Sequence, residues 1–157
     1  NKAIEIQIAA TAEEQDELWR MRRSVFASLA HFKSAVKINE DIVVPRAKIP
    51  EIIQFIESVG ERHEIRIVNF GHAGDGNIHL NVLPQNEQLE TAHKAVDEIF
   101  DRTIELGGRI SGEHGIGTSK REYIGKNLEP AAIADMQAVK RAWDPNNILN
   151  PGKIFPE

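Results

Sequence analysis

Two histidines separated by six residues, His72 and His79, occur in a glycine-rich run at residues 71–81 (GHAGDGNIHLN). After Gly76 polar and apolar residues alternate strictly, which is the pattern of a strand with one face buried. The polar residues that share one face of this strand are Asn77, His79 and Asn81. The run indicates a metal site on a β-hairpin, because imidazole is a common metal ligand.

The hairpin follows from the residues around the turn. Residues 65–70 (IRIVNF) are typical of a strand, so residues 73–76 form a four-residue loop whose glycines permit positive φ. In this register His72 lies opposite Asn77. His79 is the diagonal neighbour on the same face, about 7–8 Å away between Cα atoms. Two imidazoles in this arrangement can reach one metal ion.

A second polar cluster, Glu113 and His114, lies between glycines in residues 112–117 (GEHGIG), after a short predicted strand at 109–111. If this strand neighbours the hairpin, the set comprises two neutral imidazoles, a carboxylate and an open position, which suits a borderline divalent ion. A histidine in a glycine-rich turn is, however, often a turn residue or a hydrogen-bonded polar group. Spacing alone therefore leaves a metal or catalytic site and a structural role as alternatives.

Composition narrows the classes of function. The chain has 157 residues, no cysteine and a formal charge of −5 at pH 7. Without cysteine there are no disulfides, thiolate ligands or cysteine nucleophile, so a metal must be held by His, Asp or Glu. No apolar run approaches the ~18 residues of a membrane span, and the acidic charge argues against nucleic-acid binding. Because the chain lacks an initiator Met, we expect a fragment whose targeting signal is hidden; in a bacterium it would be cytoplasmic.

The periodicity of apolar residues predicts alternating helices and strands. Thr11 and Glu14 form a capping box for a helix that reaches about Leu29, and Pro50 lies near the start of a helix that Gly60 ends. The other predicted elements are strands at 3–9, about 40–45 and 109–111, the hairpin, a helix at about 87–106 and a helix that begins at Pro130. From residue 40 onward the order is β-α-β-β-α-β.

This order predicts an α+β fold with the split βαβ sheet of ferredoxin-like domains, flanked by N-terminal and C-terminal helices. The two central helices must cover one face of the sheet. Its apolar side chains identify that face: Ile65, Ile67, Ile78, Leu80 and Val82. The histidines then lie on the opposite face, which mixes apolar and polar residues as a partner surface around a polar cavity does.

Three segments, residues 71–81, 111–117 (SGEHGIG) and 144–155 (DPNNILNPGKIF), resemble in order and spacing the C-terminal domain of FAD-linked oxidases that act on D-2-hydroxy acids. That family includes D-lactate dehydrogenases, D-2-hydroxyglutarate dehydrogenases and the flavin subunit of glycolate oxidase. The resemblance covers nearly the whole chain. It implies oxidation of a 2-hydroxy acid of the lactate, glycolate or 2-hydroxyglutarate class to the 2-oxo acid, with hydride transfer to FAD.

The resemblance also implies roles for individual residues. In the family, the residues that match His72, His79 and Glu113 hold a divalent metal, usually zinc. The residue that matches His114 is the base. The remaining matches are Arg22 for the substrate carboxylate, with Arg20 and Arg23 as alternatives, Asn81 near the substrate, and Asn150 near the flavin.

We expect residues 1–157 to be the C-terminal substrate domain alone, because the FAD-binding domain that precedes it in relatives has no counterpart here. FAD would be bound mainly by that missing domain, and the fragment alone would be inactive. The expected partners are a small 2-hydroxy acid, the FAD-binding domain and an electron-acceptor subunit. Two other interpretations stay open, namely a stand-alone metal-binding or metal-dependent hydrolytic domain and a regulatory binding module with a degenerate site.

Overall fold

The computed structural model describes residues 6–32, 34 and 36–156, without the side chains of Phe26 and Ala30. The chain forms two compact units, residues 1–33 and 34–157. The predicted strand at 3–9 begins outside the described residues, and residues 6–10 have no regular secondary structure. Of the helices that the structure describes, none is long and apolar enough to cross a membrane.

The N-terminal unit contains helix α1, Ala12–Ser28, followed by a single 3-10 turn. The predicted capping box is confirmed. The Glu14 amide donates to Thr11 Oγ1 at 3.2 Å, and the Thr11 amide donates back to Glu14 Oε2 at 3.2 Å. Two backbone donors at the start of the helix are therefore satisfied by local side chains.

The larger unit is built on an antiparallel sheet. Its strands in the described residues are β1 (Ile38–Val43), β2 (Arg66–His72) and β3 (Asn77–Leu83), in the order β1-β3-β2. The helices are α2 (Ile49–Arg62), α3 (Leu89–Glu105), the short α4 (Ile124–Asn127) and α5 (Pro130–Trp143). The prediction of an α+β fold with flanking N-terminal and C-terminal helices is confirmed.

Helices α2 and α3 pack on the face of the sheet that its apolar residues predict. The buried core contains Ile42, Ile78, Leu80 and Val82 from the sheet, Ile52, Ile56 and Val59 from α2, and Ala92, Val96, Ile99 and Phe100 from α3. Burial of this apolar area is the main stabilising term of the unit. Since the period of a strand is two, the histidines of β3 and β2 are directed to the other face.

The β2–β3 hairpin has the predicted register, with His72 paired to Asn77. Its four-residue turn ends at Gly76, which has a φ of +83° and whose carbonyl accepts a hydrogen bond from the Val44 amide at 3.1 Å. A Cβ at this position would lie 2.0 Å from Val44 O. The turn therefore requires glycine here for both backbone conformation and space.

We expect Gly76→Ala to lower the free energy of unfolding by at least about 2 kcal/mol, because it adds both positive-φ strain and a backbone clash. Gly74→Ala in the same turn is the matched control, since a Cβ there meets nothing within 4 Å. It should change stability by less than about 0.5 kcal/mol. Urea denaturation of the two variants measures the difference, and equal destabilisation would contradict this account of the turn.

The predicted strand at 109–111 is wrong, because its ladder is reduced to one bridge between Val43 and Arg109. The two residues exchange backbone hydrogen bonds of 2.9 and 2.8 Å. Beyond the bridge, side chains replace the ladder. The Ile110 amide donates to Asn127 Oδ1 at 3.0 Å, and Lys120 Nζ donates to Ile110 O at 2.7 Å. The chain leaves the sheet edge at the point where the Glu113-His114 segment begins.

The prediction that Gly60 ends α2 is also wrong, since the helix continues to Arg62. The residue that takes the left-handed conformation is Glu64, with a φ of +54°. Gly60 has a different role. Its carbonyl accepts the Ile65 amide at 2.9 Å, and a Cβ on Gly60 would lie 3.0 Å from Ile65 O. The glycine allows the chain to turn back closely against the helix towards β2.

Candidate active site

His79 lies in the central strand on the face opposite the helices. Its cross-strand neighbours are Phe70 on β2 and Asp41 on β1. The Phe70 and His79 ring centroids are 5.5 Å apart, and the His79 side chain is only 12% exposed. The imidazole therefore packs against Phe70 and is largely enclosed within the sheet surface.

Three potential ligand side chains converge at this point. His79 Nε2 lies 3.0 Å from Glu113 Oε1, and His72 Nε2 lies 3.9 Å from the same oxygen. One donor atom from each residue lies within 4.8 Å of the other two. Donors bound tetrahedrally at about 2.0–2.2 Å are about 3.4 Å apart, so small side-chain adjustments would suffice to bind one ion. His72 and Glu113 are half exposed, which leaves one side of the cluster open.

Burial lowers the pKa of His79 below its ordinary value. The Glu113 carboxylate opposes this shift, whereas the neighbouring His114 and His72 lower the pKa further. His79 therefore stays neutral at a lower pH than an exposed histidine does. The neutral imidazole is the form that binds a metal.

His114 lies against the cluster without supplying one of its three donors. Its ring stacks on His79, with centroids 5.3 Å apart and an interplanar angle of 20°. Its Nδ1 lies 3.4 Å from Asp41 Oδ1, and 38% of its side chain is exposed. When the Nδ1 proton is directed to Asp41, the basic lone pair is on Nε2. The arrangement suits a proton acceptor held in one orientation.

Asp41 is fully buried and was missed by sequence reasoning. Its Oδ2 accepts three successive backbone amides, from Gly112 at 2.6 Å, Glu113 at 2.6 Å and His114 at 3.2 Å. Lys120 Nζ donates to Oδ1 at 2.6 Å. Burial alone would raise the pKa of Asp41, but the Lys120 and amide hydrogen bonds outweigh it and lower that pKa to about 2. The carboxylate is therefore ionised at neutral pH.

Lys120 is also buried, with only 2% of its side chain exposed. It lies 3.2 Å from Glu40 Oε2 and also donates to Asp41 O at 3.1 Å. One sequence signal could have identified Asp41, namely a carboxylate within the predicted strand at about 40–45, where most of the following residues are apolar. No local signal distinguishes Lys120 from a surface lysine, because its partners are distant in sequence.

Asn77 and Asn81 share the strand face of His79 and are buried. Asn81 Nδ2 donates to Val68 O at 3.2 Å. Within the described part of the chain, Oδ1 of each asparagine has no hydrogen-bond donor. A Cβ on Gly112 would lie 2.6 Å from Asn77 Oδ1, so only glycine allows this segment to approach the hairpin.

The other two predicted site residues are Arg22 and Asn150. Arg22 is half-buried on α1 and belongs to the N-terminal unit. Asn150 is exposed, has a φ of +49°, and lines a groove of about 520 Å³ between α5 and the C-terminal segment. The residues that line this groove include none of the four clustered site residues, His72, His79, Glu113 and His114.

The sequence is similar to known proteins over nearly its whole length. The model of the family described as FAD linked oxidases, C-terminal domain, matches residues 1–154. The glycolate oxidase subunit GlcD of Bacillus subtilis (strain 168) is 42% identical over 98% of this chain. D-lactate dehydrogenase of Anaerostipes hadrus and D-2-hydroxyglutarate dehydrogenase of Stutzerimonas stutzeri (strain A1501) are each 36% identical, over 97% and 94% of the chain. The chain spans 33% of the length of each of these relatives. It belongs to the family of FAD-linked oxidases, of which it matches the C-terminal domain.

Proposed function

We propose that this chain is the substrate- and metal-binding part of a flavin-dependent oxidoreductase that converts a D-2-hydroxy acid to the 2-oxo acid. The observation that carries the proposal is the convergence of His72, His79 and Glu113 beside the stacked ring of His114. The names of the relatives support it, since they refer to glycolate, D-lactate and D-2-hydroxyglutarate. The substrate would accordingly be a 2-hydroxy acid of one of these classes.

The donor set fits a divalent metal ion, and we assign zinc. Two imidazole nitrogens and a carboxylate oxygen, in a sequence without cysteine, are a ligand set found in catalytic zinc sites that keep a fourth position open. His72, His79 and Glu113 would hold the ion. When bound, it would supply Lewis-acid chemistry that lowers the pKa of the substrate hydroxyl.

His114 would act as the general base. With Nδ1 directed to Asp41, its Nε2 would accept the proton of the substrate α-hydroxyl. The stacked His79 ring fixes the plane of this imidazole, so little reorientation is needed when substrate arrives. FAD, when bound by a preceding domain, would accept the hydride from the substrate Cα.

We assign the substrate carboxylate to Arg22, because a guanidinium binds a carboxylate through two parallel hydrogen bonds. Arg20, one of the two alternatives, forms an ion pair with Glu17 on its own helix at 3.2 Å. Asn81 is assigned to the substrate side because an unsatisfied buried oxygen costs about 1–3 kcal/mol, which a donor would offset. Asn150 is assigned to the flavin side.

The chain would act together with an FAD-binding domain and an electron-acceptor subunit. The first partner is supported by the chain spanning 33% of the length of its relatives, and the second by the word subunit in the name of one of them. Exposed apolar side chains on α5 also suit an interdomain surface, because contiguous apolar area is commonly buried against a partner. They include Val139, at 61% exposed, and Trp143, at 84% exposed.

The test is anaerobic reduction of the full-length flavoprotein by a panel of 2-hydroxy acids. We expect D-lactate, glycolate or D-2-hydroxyglutarate to bleach the flavin absorbance, with the L enantiomers of the chiral acids as controls. Only an acid that presents its hydroxyl to His114 and its Cα hydrogen to the flavin at the same time should react. A flavin-loaded protein that none of these acids reduces would contradict the proposal.

A further inference from the structure

We propose that Asp41 is a positioning residue, which holds Glu113 and His114 against His79 and has Lys120 as its counter-charge. This inference rests on the proposed function for the roles of Glu113 and His114. Asp41 would touch neither metal nor substrate, and would act through the backbone that carries both residues.

The backbone contacts of Asp41 carry the argument. Three consecutive amides, at residues 112–114, donate to the single oxygen Asp41 Oδ2, which lies on β1. Ser111 Oγ lies 3.4 Å from Oδ1 of the same carboxylate and accepts the Gly115 amide at 2.8 Å. The loop at residues 111–115 is thus organised around one buried carboxylate instead of a strand ladder.

The position of Asp41 in the sheet explains why this anchor matters for the site. Asp41 is the direct cross-strand partner of His79. A carboxylate at this register therefore fixes the distance between the strand that carries His79 and the loop that carries Glu113. His79 Nε2 and Glu113 Oε1 are consequently 3.0 Å apart. This is shorter than the 3.9 Å between His72 Nε2 and the same oxygen.

Asp41 also orients the ring of His114. Its Oδ1 lies 3.4 Å from His114 Nδ1, while its Oδ2 accepts the amide of the same residue. Main chain and side chain of His114 are thus held by one group. An ion pair that only stabilised the fold would not need to contact the imidazole.

Lys120 allows this carboxylate to be buried. An unpaired buried charge is strongly unfavourable, and Lys120 Nζ lies 2.6 Å from Asp41 Oδ1. The Lys120 ammonium also lies 5.8 Å from the centroid of the Phe100 ring. Methionine has a similar length without the charge, so it is the substitution that changes the packing least.

The experiment separates positioning from stability with three variants of the full-length protein: Asp41→Asn, Lys120→Met, and the two combined. Asp41→Asn leaves Lys120 with Glu40 as its counter-charge, 3.2 Å away, but places an amide that can donate next to the ammonium. The double variant removes this contact and leaves Glu40, whose side chain is 11% exposed, without Lys120. The zinc dissociation constant should be raised about 10–100-fold in Asp41→Asn and in the double variant, as for other groups that orient ligands.

Two readouts follow the site directly. Competition with a chromophoric chelator gives the affinity for Zn²⁺, and hydrogen–deuterium exchange of the peptide that spans residues 111–115 gives the protection of the anchored amides. We expect faster exchange at these amides in Asp41→Asn and in the double variant. In Lys120→Met the protection should be largely retained, because Asp41 still accepts the three amides.

Asp97→Asn is the matched control, since Asp97 accepts a hydrogen bond from the Tyr123 hydroxyl, a pair outside the 111–115 loop. It should lower the melting temperature without changing zinc affinity or exchange in the loop.

If the double variant regains wild-type zinc affinity and amide protection together with stability, Asp41 is only structural and the proposal is overturned. Wild-type protein that binds no zinc would contradict the proposed function, and exchange at 111–115 alone would then decide the role of Asp41. If Asp41→Asn does not fold, zinc affinity and amide exchange are measured on the double variant instead.

Discussion

Replacing His79 with alanine is expected to release the metal ion and to lower kcat/KM of the full-length enzyme by more than about 100-fold. His79 is the most buried of the three donors, and its Nε2 is the nearer of the two histidine nitrogens to Glu113 Oε1. Loss of groups that merely orient a ligand already costs about 10–100-fold, so loss of a ligand should cost more. Metal analysis of the purified variant, together with steady-state rates, measures both effects.

His93→Ala is the control for this experiment, because His93 is exposed on α3, a helix on the other face of the sheet. It should keep wild-type metal content and rate. Flavin content should be unchanged in both variants if FAD is bound mainly by another domain. Full metal occupancy in His79→Ala would exclude His79 as a ligand, and with it the proposed site.

His114→Ala is expected to lower kcat about 10²–10⁴-fold while metal and flavin content stay near those of the wild type. A positioned base contributes about this factor, and His114 is not one of the three clustered donors. KM should change little, since the hydroxyl and carboxylate of the substrate would still be bound elsewhere. Added imidazole should restore part of the rate, because the variant leaves a cavity next to the His79 ring.

The comparison of the two histidine variants separates their roles. Metal loss in His114→Ala equal to that in His79→Ala would make His114 a ligand and contradict our assignment. A wild-type rate in His114→Ala with full flavin and metal would show that another group accepts the proton.

The parts of the fold that the sequence predicts correctly depend on local patterns. Strict alternation after Gly76, with two glycines in the turn, determines the hairpin register, and the His72–Asn77 pair confirms it. The Thr11–Glu14 capping box is likewise a contact between residues three apart. Such features can be predicted because neighbouring residues supply both partners.

The features that sequence reasoning missed depend on distant partners. Asp41 and the loop amides are more than seventy residues apart, and Lys120 reaches Asp41 across 79 positions. These side-chain bonds replace the strand ladder expected at 109–111, so periodicity alone predicts a strand where the structure has one bridge. The end of α2 differs from the prediction for another reason, because Gly60 allows a close approach to Ile65 and does not cap the helix.

The central claim is that His72, His79 and Glu113 hold one divalent metal that the oxidation of a D-2-hydroxy acid requires. The most direct measurement is a titration of metal-stripped, flavin-loaded full-length protein with Zn²⁺, with Mn²⁺ and Co²⁺ in parallel. Bound metal and the rate of anaerobic flavin reduction are recorded at each step. We predict that the rate rises in proportion to occupancy and reaches its plateau at one ion per flavin. Flavin reduction at the full rate before any metal is bound would contradict the account.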